Sequence, residues 1–250
     1  MHSDRRSDRP LPKPHSPQDQ WLDSLQSATH YNQWIFSRIA PYLKERTLEV
    51  GCGNGNFTAL IAQYCSQLVA VDLNADYVAQ TKQRLSQYEH VEVIAADATE
   101  MDSAQTFDTI ILLDVLEHIE DDADLLLRLR RQLAPGGTLL LKVPAIAALY
   151  NPLDAAVGHY RRYTSQTLRQ AILKAKDETT PSFAEPKIDY FNAVGILGWW
   201  LNGSVLKRST PPGQQVGLFD RCVPLFQTVE DWRSPPIGLS LFAAATSDEC

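Results

Sequence analysis

Cysteine is scarce in this chain: four residues among 250, at Cys52, Cys65, Cys222 and Cys250. No two form a CxxC pair and no zinc-ligand spacing appears, which excludes a disulfide-built scaffold and a zinc ribbon. Such usage suits a reducing compartment, so a cytoplasmic location is expected. Long apolar runs are also missing. The longest, Ala193 to Leu201, is about half of what a helix needs to span a bilayer, and no transmembrane segment is expected. Met1 to Gln20 carries arginines and prolines without an apolar stretch, and is not read as a secretory signal. Positive charge is in deficit, with 23 Lys and Arg against 30 Asp and Glu, a formal −7. Duplex nucleic-acid binders are ordinarily basic, so nucleic acid is not an expected partner. Glycine is sparse too, twelve in all, yet three of them fall between positions 51 and 55.

What is present is a globular composition, 44% hydrophobic and 21% charged. Residues 1–17 mix prolines with charged and polar residues and read as a disordered tail. Residues 18–250 read as one domain. Apolar positions from Trp21 to Leu43 recur at helical spacing, with a break near His30 and another at Pro41. Beyond Thr47 short apolar strands alternate with helical stretches. Strands are expected at 47–50, 68–71, 91–94, 107–113 and 138–143, with helices at 57–64, 75–88 and 121–133 between them. That alternation predicts an α/β fold, a doubly wound parallel sheet covered on both faces. A helix over 165–174 and strands over 187–191 and 237–245 follow. Residues 192–236 show no clear period and hold Trp199, Trp200 and Trp232. A stretch that long is not a plain loop, and a helical cap insertion is expected there.

The most specific signal is Glu49-Val-Gly-Cys-Gly-Asn-Gly-Asn56, a strand end running into a glycine turn and a helix start. Gly51, Gly53 and Gly55 let the backbone turn tightly and let a ligand lie against it. A nicotinamide-dinucleotide turn reads GxGxxG; here Asn56 stands at the third glycine's place, so the turn suits a ligand without a pyrophosphate. Asp72, ending the next strand about twenty residues on, is placed to accept ribose hydroxyls. Asp97, after the third strand, can accept an exocyclic amine. Each could instead cap a helix.

Together with Leu113-Asp-Val-Leu-Glu-His-Ile119 and Leu133-Ala-Pro-Gly-Gly-Thr138, these motifs resemble the class I S-adenosylmethionine-dependent methyltransferases. The resemblance is close over 47–143 and looser beyond. It implies a Rossmann-like sheet of seven strands, the last antiparallel beside the fifth, with N-terminal helices. It also implies S-adenosyl-L-methionine as cofactor, with Glu49, Gly51, Gly53, Gly55, Asp114 and Val115 near its methionine end. Asp72 and Leu73 would stand at the ribose, Asp97 and Ala98 at the adenine. The expected activity is methyl transfer to a small molecule, with oxygen the first guess for the acceptor atom. Two alternatives are carried: a lipid- or quinone-directed enzyme in peripheral contact with a membrane, and a non-catalytic cofactor-binding partner subunit.

Methyl transfer is an in-line displacement, and an oxygen or nitrogen acceptor also needs a base. His118 and His159 are the candidate catalytic residues, His118 weighed against a role in capping or packing the following helix. Tyr160, Arg161 and Arg162 are candidate substrate contacts, since an arginine fork suits a phosphate or carboxylate; both arginines could equally pair with surface acids. No metal ligand is assigned. Whether Asp114, Glu117, His118 and His159 hold a divalent ion is left open, as is the oligomeric state.

Overall fold

The computed structural model describes residues 16–101, 105–177, 183–210 and 213–248. Of the expected tail, all but Ser16 and Pro17 lies outside these residues. Ser16 opens α1 (Pro17–Ser27): its hydroxyl accepts from the Asp19 amide while Asp19 accepts from the Ser16 amide, a capping box with proline in the first turn. The chain breaks at Ala28 and continues as α2 (Thr29–Ile39), then one 3-10 turn at Ala40–Tyr42.

The strands are β1 (Arg46–Val50), β2 (Gln67–Asp72), β3 (Val91–Ala95), β4 (Phe107–Leu113), β5 (Leu133–Pro144), β6 (Lys187–Phe191) and β7 (Ser240–Thr246). They make one sheet in the order β3-β2-β1-β4-β5-β7-β6. The first five run parallel, and β7 lies antiparallel between β5 and β6. This is the doubly wound sheet expected from the strand alternation, with the antiparallel last strand that the resemblance implies.

Successive side chains of a strand point to opposite faces, and here both faces are buried. Ile110, Leu112, Leu139 and Leu141 pack on one side with Leu125 and Leu129 of α5 (Asp122–Arg131) and Leu168 and Ile172 of α7 (Ser165–Lys174). Ile111 and Leu140 pack on the other with Trp34, Ile35 and Ile39 of α2 and with Phe191 and Phe242. Burying one such side chain contributes about 1.5–3 kcal/mol. This two-sided burial is why the central strands read as unbroken apolar runs.

Some boundaries differ from the expectation. After the glycine turn only α3 (Thr58–Ile61) is regular helix, and the next helix, α4, stops early (Ala75–Arg84). β5 begins five residues before the expected Thr138, so the Pro135-Gly136-Gly137 turn lies inside it. The cap stretch contains α8 (Gly195–Trp199), a π-helical turn (Trp200–Val205) and the 20-residue α9 (Gly213–Trp232). A short α6 (Pro152–Val157) precedes α7. No helix among the described residues is long and apolar enough to cross a membrane.

Candidate active site

Loops at the ends of β1, β2, β4 and β5 surround one cavity of about 880 Å³. This is the crevice where open α/β sheets bind ligands. The N-terminal helix and the cap roof it: Trp21 of α1 stacks on Trp199 of α8, with ring centroids 5.6 Å apart.

One half is built by the glycine turn. The Gly51 amide donates to the Val71 carbonyl (2.8 Å), and the Gly53 amide donates to Asp72 Oδ2 (2.8 Å). Asp72 Oδ1 accepts from the Asn74 amide, so this carboxylate faces the cavity already oriented. Gly51 has φ +76°, and a Cβ there would stand 2.3 Å from Val115 Cγ2. At Gly53 a Cβ would meet Leu22 of α1 at 3.3 Å. The glycines therefore make room for the β4 loop and the roof helix, a packing constraint added to the ligand clearance expected from sequence. Exposed Leu73, with Asp97 and Ala98, lines the far rim. Asp97 Oδ1 accepts from the Thr99 amide and hydroxyl. Glu49 is buried beneath the turn, and its Oε2 has no partner among the described residues. Burial pushes its carboxyl up to about 8; the nearby Thr58 hydroxyl opposes this and the Asp72 charge adds to it.

The other half gathers titratable groups. Asp114, at φ 54°, turns the chain out of β4 and takes both carboxylate oxygens to Lys142 Nζ at 2.6 and 2.5 Å. Burial works against the Lys142 charge, but Asp114, Tyr31 and Glu117 together hold its pKa above the usual lysine value. Glu117 is fully buried, with both carboxylate oxygens unpartnered among the described residues. Burial first, and the Asp114 charge second, raise its pKa well above the carboxylate range.

His118 and His159 meet edge to face, centroids 4.7 Å apart. Burial, then the charge of His159, pushes His118 down to about 4. His159 Nδ1 lies 2.8 Å from Asp154 Oδ1 and its Nε2 lies 3.8 Å from Glu117 Oε1. Asp154 also accepts from Arg162 Nε (2.8 Å) and from the Asn151 amide. Desolvation opposes that carboxylate, but His159 and Arg162 outweigh it and keep its pKa below the usual value. The Asp154 contact at Nδ1 fixes the orientation of the His159 ring and turns Nε2 towards Glu117. Glu117, His118 and His159 each offer a ligand atom within 4.8 Å of the others, a spacing that a divalent ion could also use.

Of the three expected substrate residues, only Arg162 lines the cavity, buried between Asp154 and the Trp199 ring, 4.5 Å from its guanidinium. Arg161 turns away to Asp122 (2.9 Å) and the Glu120 carbonyl, and Tyr160 is exposed outside the lining.

Residues 48–141 match the model of a methyltransferase domain. A probable S-adenosylmethionine-dependent methyltransferase of Mycobacterium tuberculosis H37Rv is 33% identical over 148 residues, 58% of this chain and 53% of that protein. Over this segment the chain is similar to the class I methyltransferases. Nodulation protein S of Sinorhizobium fredii is 36% identical over 96 residues, 37% of this chain and 44% of that protein. The chain thus spans about half the length of these curated relatives. The crystal structure of N-methyltransferase NodS from Bradyrhizobium japonicum WM9 with S-adenosyl-L-homocysteine has the same fold. Its TM-score is 0.54 at 17% identity, covering 98% of this chain and 94% of that one.

S-adenosylmethionine is the cofactor of this family, and the cavity fits it. Asp72 is preoriented at the β2 end, and Glu49 Oε2 and Trp21 Nε1 are buried without hydrogen-bond partners among the described residues. Sequence reasoning missed Lys142, Asp154, Tyr31 and the roof formed by Trp21, Leu22 and Trp199. Lys142 had a readable signal, a lone charge inside the apolar run Thr138–Val143. Asp154 had none, because its role depends on partners five and eight residues away across a helix end.

Proposed function

We propose that the chain transfers a methyl group from S-adenosylmethionine to a small, partly apolar molecule, with a hydroxyl oxygen as acceptor. The observation that carries this reading is the Asp154–His159 pair, with His159 lining the same cavity as the glycine turn. When bound, the cofactor supplies an electrophilic methyl on a sulfonium. The chain's own residues do the rest. Asp72 and the turn fix one reactant, and Trp21 and Trp199 exclude water above it. His159 Nε2 would take the proton that the acceptor hydroxyl gives up when its oxygen is methylated. Asp154, itself held by Arg162, orients the ring and stabilises the imidazolium that forms. His118 is neutral above about pH 4 and packs against His159 as a second polar wall.

A nitrogen acceptor is the second reading, favoured by the buried Glu117 carboxylate facing His159 and suited to an amine. A panel of hydroxyl and amine acceptors with methyl-labelled cofactor separates the two. His159→Asn is expected to lower kcat by about 10²–10⁴-fold while leaving S-adenosylhomocysteine affinity unchanged. Unchanged turnover in that variant would remove His159 from the mechanism.

A further inference from the structure

Eleven of the fifteen large apolar side chains exposed among the described residues lie between Val194 and Ile237. They are not scattered. Helix α9 carries two apolar stripes. Val223, Phe219 and Phe226 face the core beside α2. Leu218, Leu225, Val229 and Trp232 form the opposite stripe, and they are 65%, 67%, 58% and 87% exposed. Their spacing of seven, four and three residues keeps them on one side of a helix. Leu197, Trp200, Leu201, Val205 and Leu206 extend exposed apolar surface through α8 and the π-helical turn. Exposed apolar surface concentrated in one insertion in this way marks an interaction site.

The charge on this face selects the occupant. All three acids of the cap turn inward or sideways: Asp220 to His30 and the Tyr31 amide, Glu230 to the Asn192 and Ala193 amides, Asp231 to Arg38. Lys207, Arg208, Arg221 and Arg233 are exposed, and none forms an ion pair among the described residues. In a chain of net charge −7 the cap thus pairs its exposed apolar groups with four exposed cations that form no ion pair among the described residues. A second copy of an acidic chain gains little from that arrangement. An anionic lipid surface gains both burial of the apolar groups and neutralisation of the basic ones. Tryptophan at the edge is suited to the headgroup level.

We infer that the outer face of the cap docks on an anionic membrane surface. The inner face of the same elements, through Gly198, Trp199, Asn202 and Phe219, lines the cavity. Docking therefore sets the cavity wall against the lipid, and, on the methyl-transfer reading above, an amphiphile held there is the acceptor class.

The test uses the full chain with vesicles of phosphatidylcholine alone and of phosphatidylcholine with phosphatidylglycerol. Flotation and the tryptophan emission maximum are read on both. Expected is binding to the anionic vesicles with a blue shift, weakened at least about tenfold by the charge reversals Lys207→Glu, Arg208→Glu and Arg221→Glu together. Leu218→Ser, Leu225→Ser and Trp232→Ser together should abolish binding. None of these six residues lines the cavity, so S-adenosylhomocysteine affinity and the melting temperature serve as controls for folding. Absence of binding to either vesicle would overturn the inference. So would a dimer in light scattering that the same apolar substitutions dissolve, which would make the face a copy–copy interface. Cofactor binding is measured separately, so failure here is distinguishable from failure of the methyl-transfer reading.

Discussion

Glu49 illustrates how one residue couples the site to stability. It is 3% exposed, and burial first of all pushes its carboxyl from 4.5 up to about 8. The unfolded chain releases this proton near the ordinary carboxylate value, the folded chain only near 8. The group's contribution is therefore complete below the unfolded value and is lost as pH rises towards 8, by at most about 1.4 kcal/mol per unit. Glu49→Gln keeps the shape and removes the titration. The ligand-free variant should lose less melting temperature than the parent between about pH 5 and pH 8; parallel curves would contradict the assignment. At this scale Asp72 and Asp97 stood out by their places after successive strands, and both line the cavity while also holding local turns by accepting from the Asn74 and Thr99 amides. Lys142 and Asp154 were not read, since their roles arise from partners brought together only by folding: Asp114 across the β4–β5 pair, and His159 and Arg162 beyond a helix end.

Among the elements, the roof is the part that packing specifies most tightly. Gly203, in the π-helical turn, lies against Asn151, whose side chain caps α6 by accepting from the Leu153 amide. A Cβ at Gly203 would stand 2.2 Å from Asn151 Oδ1. Gly203→Ala must therefore either displace the cap or break the α6 N-terminus that presents Asp154. It should cost about 1–3 kcal/mol and lower turnover along with the melting temperature. A variant with parent stability and parent turnover would mean the cap is not held at this contact. The strands and α4, α5 and α7 could be placed from sequence because each carries one clear period and conventional capping, such as Asn74 on α4 and Asp121 on α5. Helix α9 could not. It contains Pro224 and has apolar groups on two sides, which erases the period that a one-sided helix shows.

Across the whole molecule, the sheet order brings β1, β2, β4 and β5 to one crevice, and two segments distant in sequence close over it. Leu22 reaches the glycine turn, and Tyr77 of α4 hydrogen-bonds Asp19 of the same roof helix. His30 and Arg38 of α2 tie the cap down through Asp220 and Asp231. The parallel sheet was legible from local periodicity and the crevice from the glycine turn, whereas the antiparallel last strand followed only from the family resemblance. The closure was not legible, because it rests on contacts between chain ends that carry no local signature. The measurement that bears most directly on the central claim is calorimetric titration of the full chain with S-adenosylmethionine and S-adenosylhomocysteine, with Asp72→Ala alongside. The account predicts saturable one-to-one binding of both ligands in roughly the micromolar range, about −8 kcal/mol, and its loss in Asp72→Ala with the fold intact. No heat from either ligand, or equal binding in the variant, would contradict a cofactor site at the glycine turn.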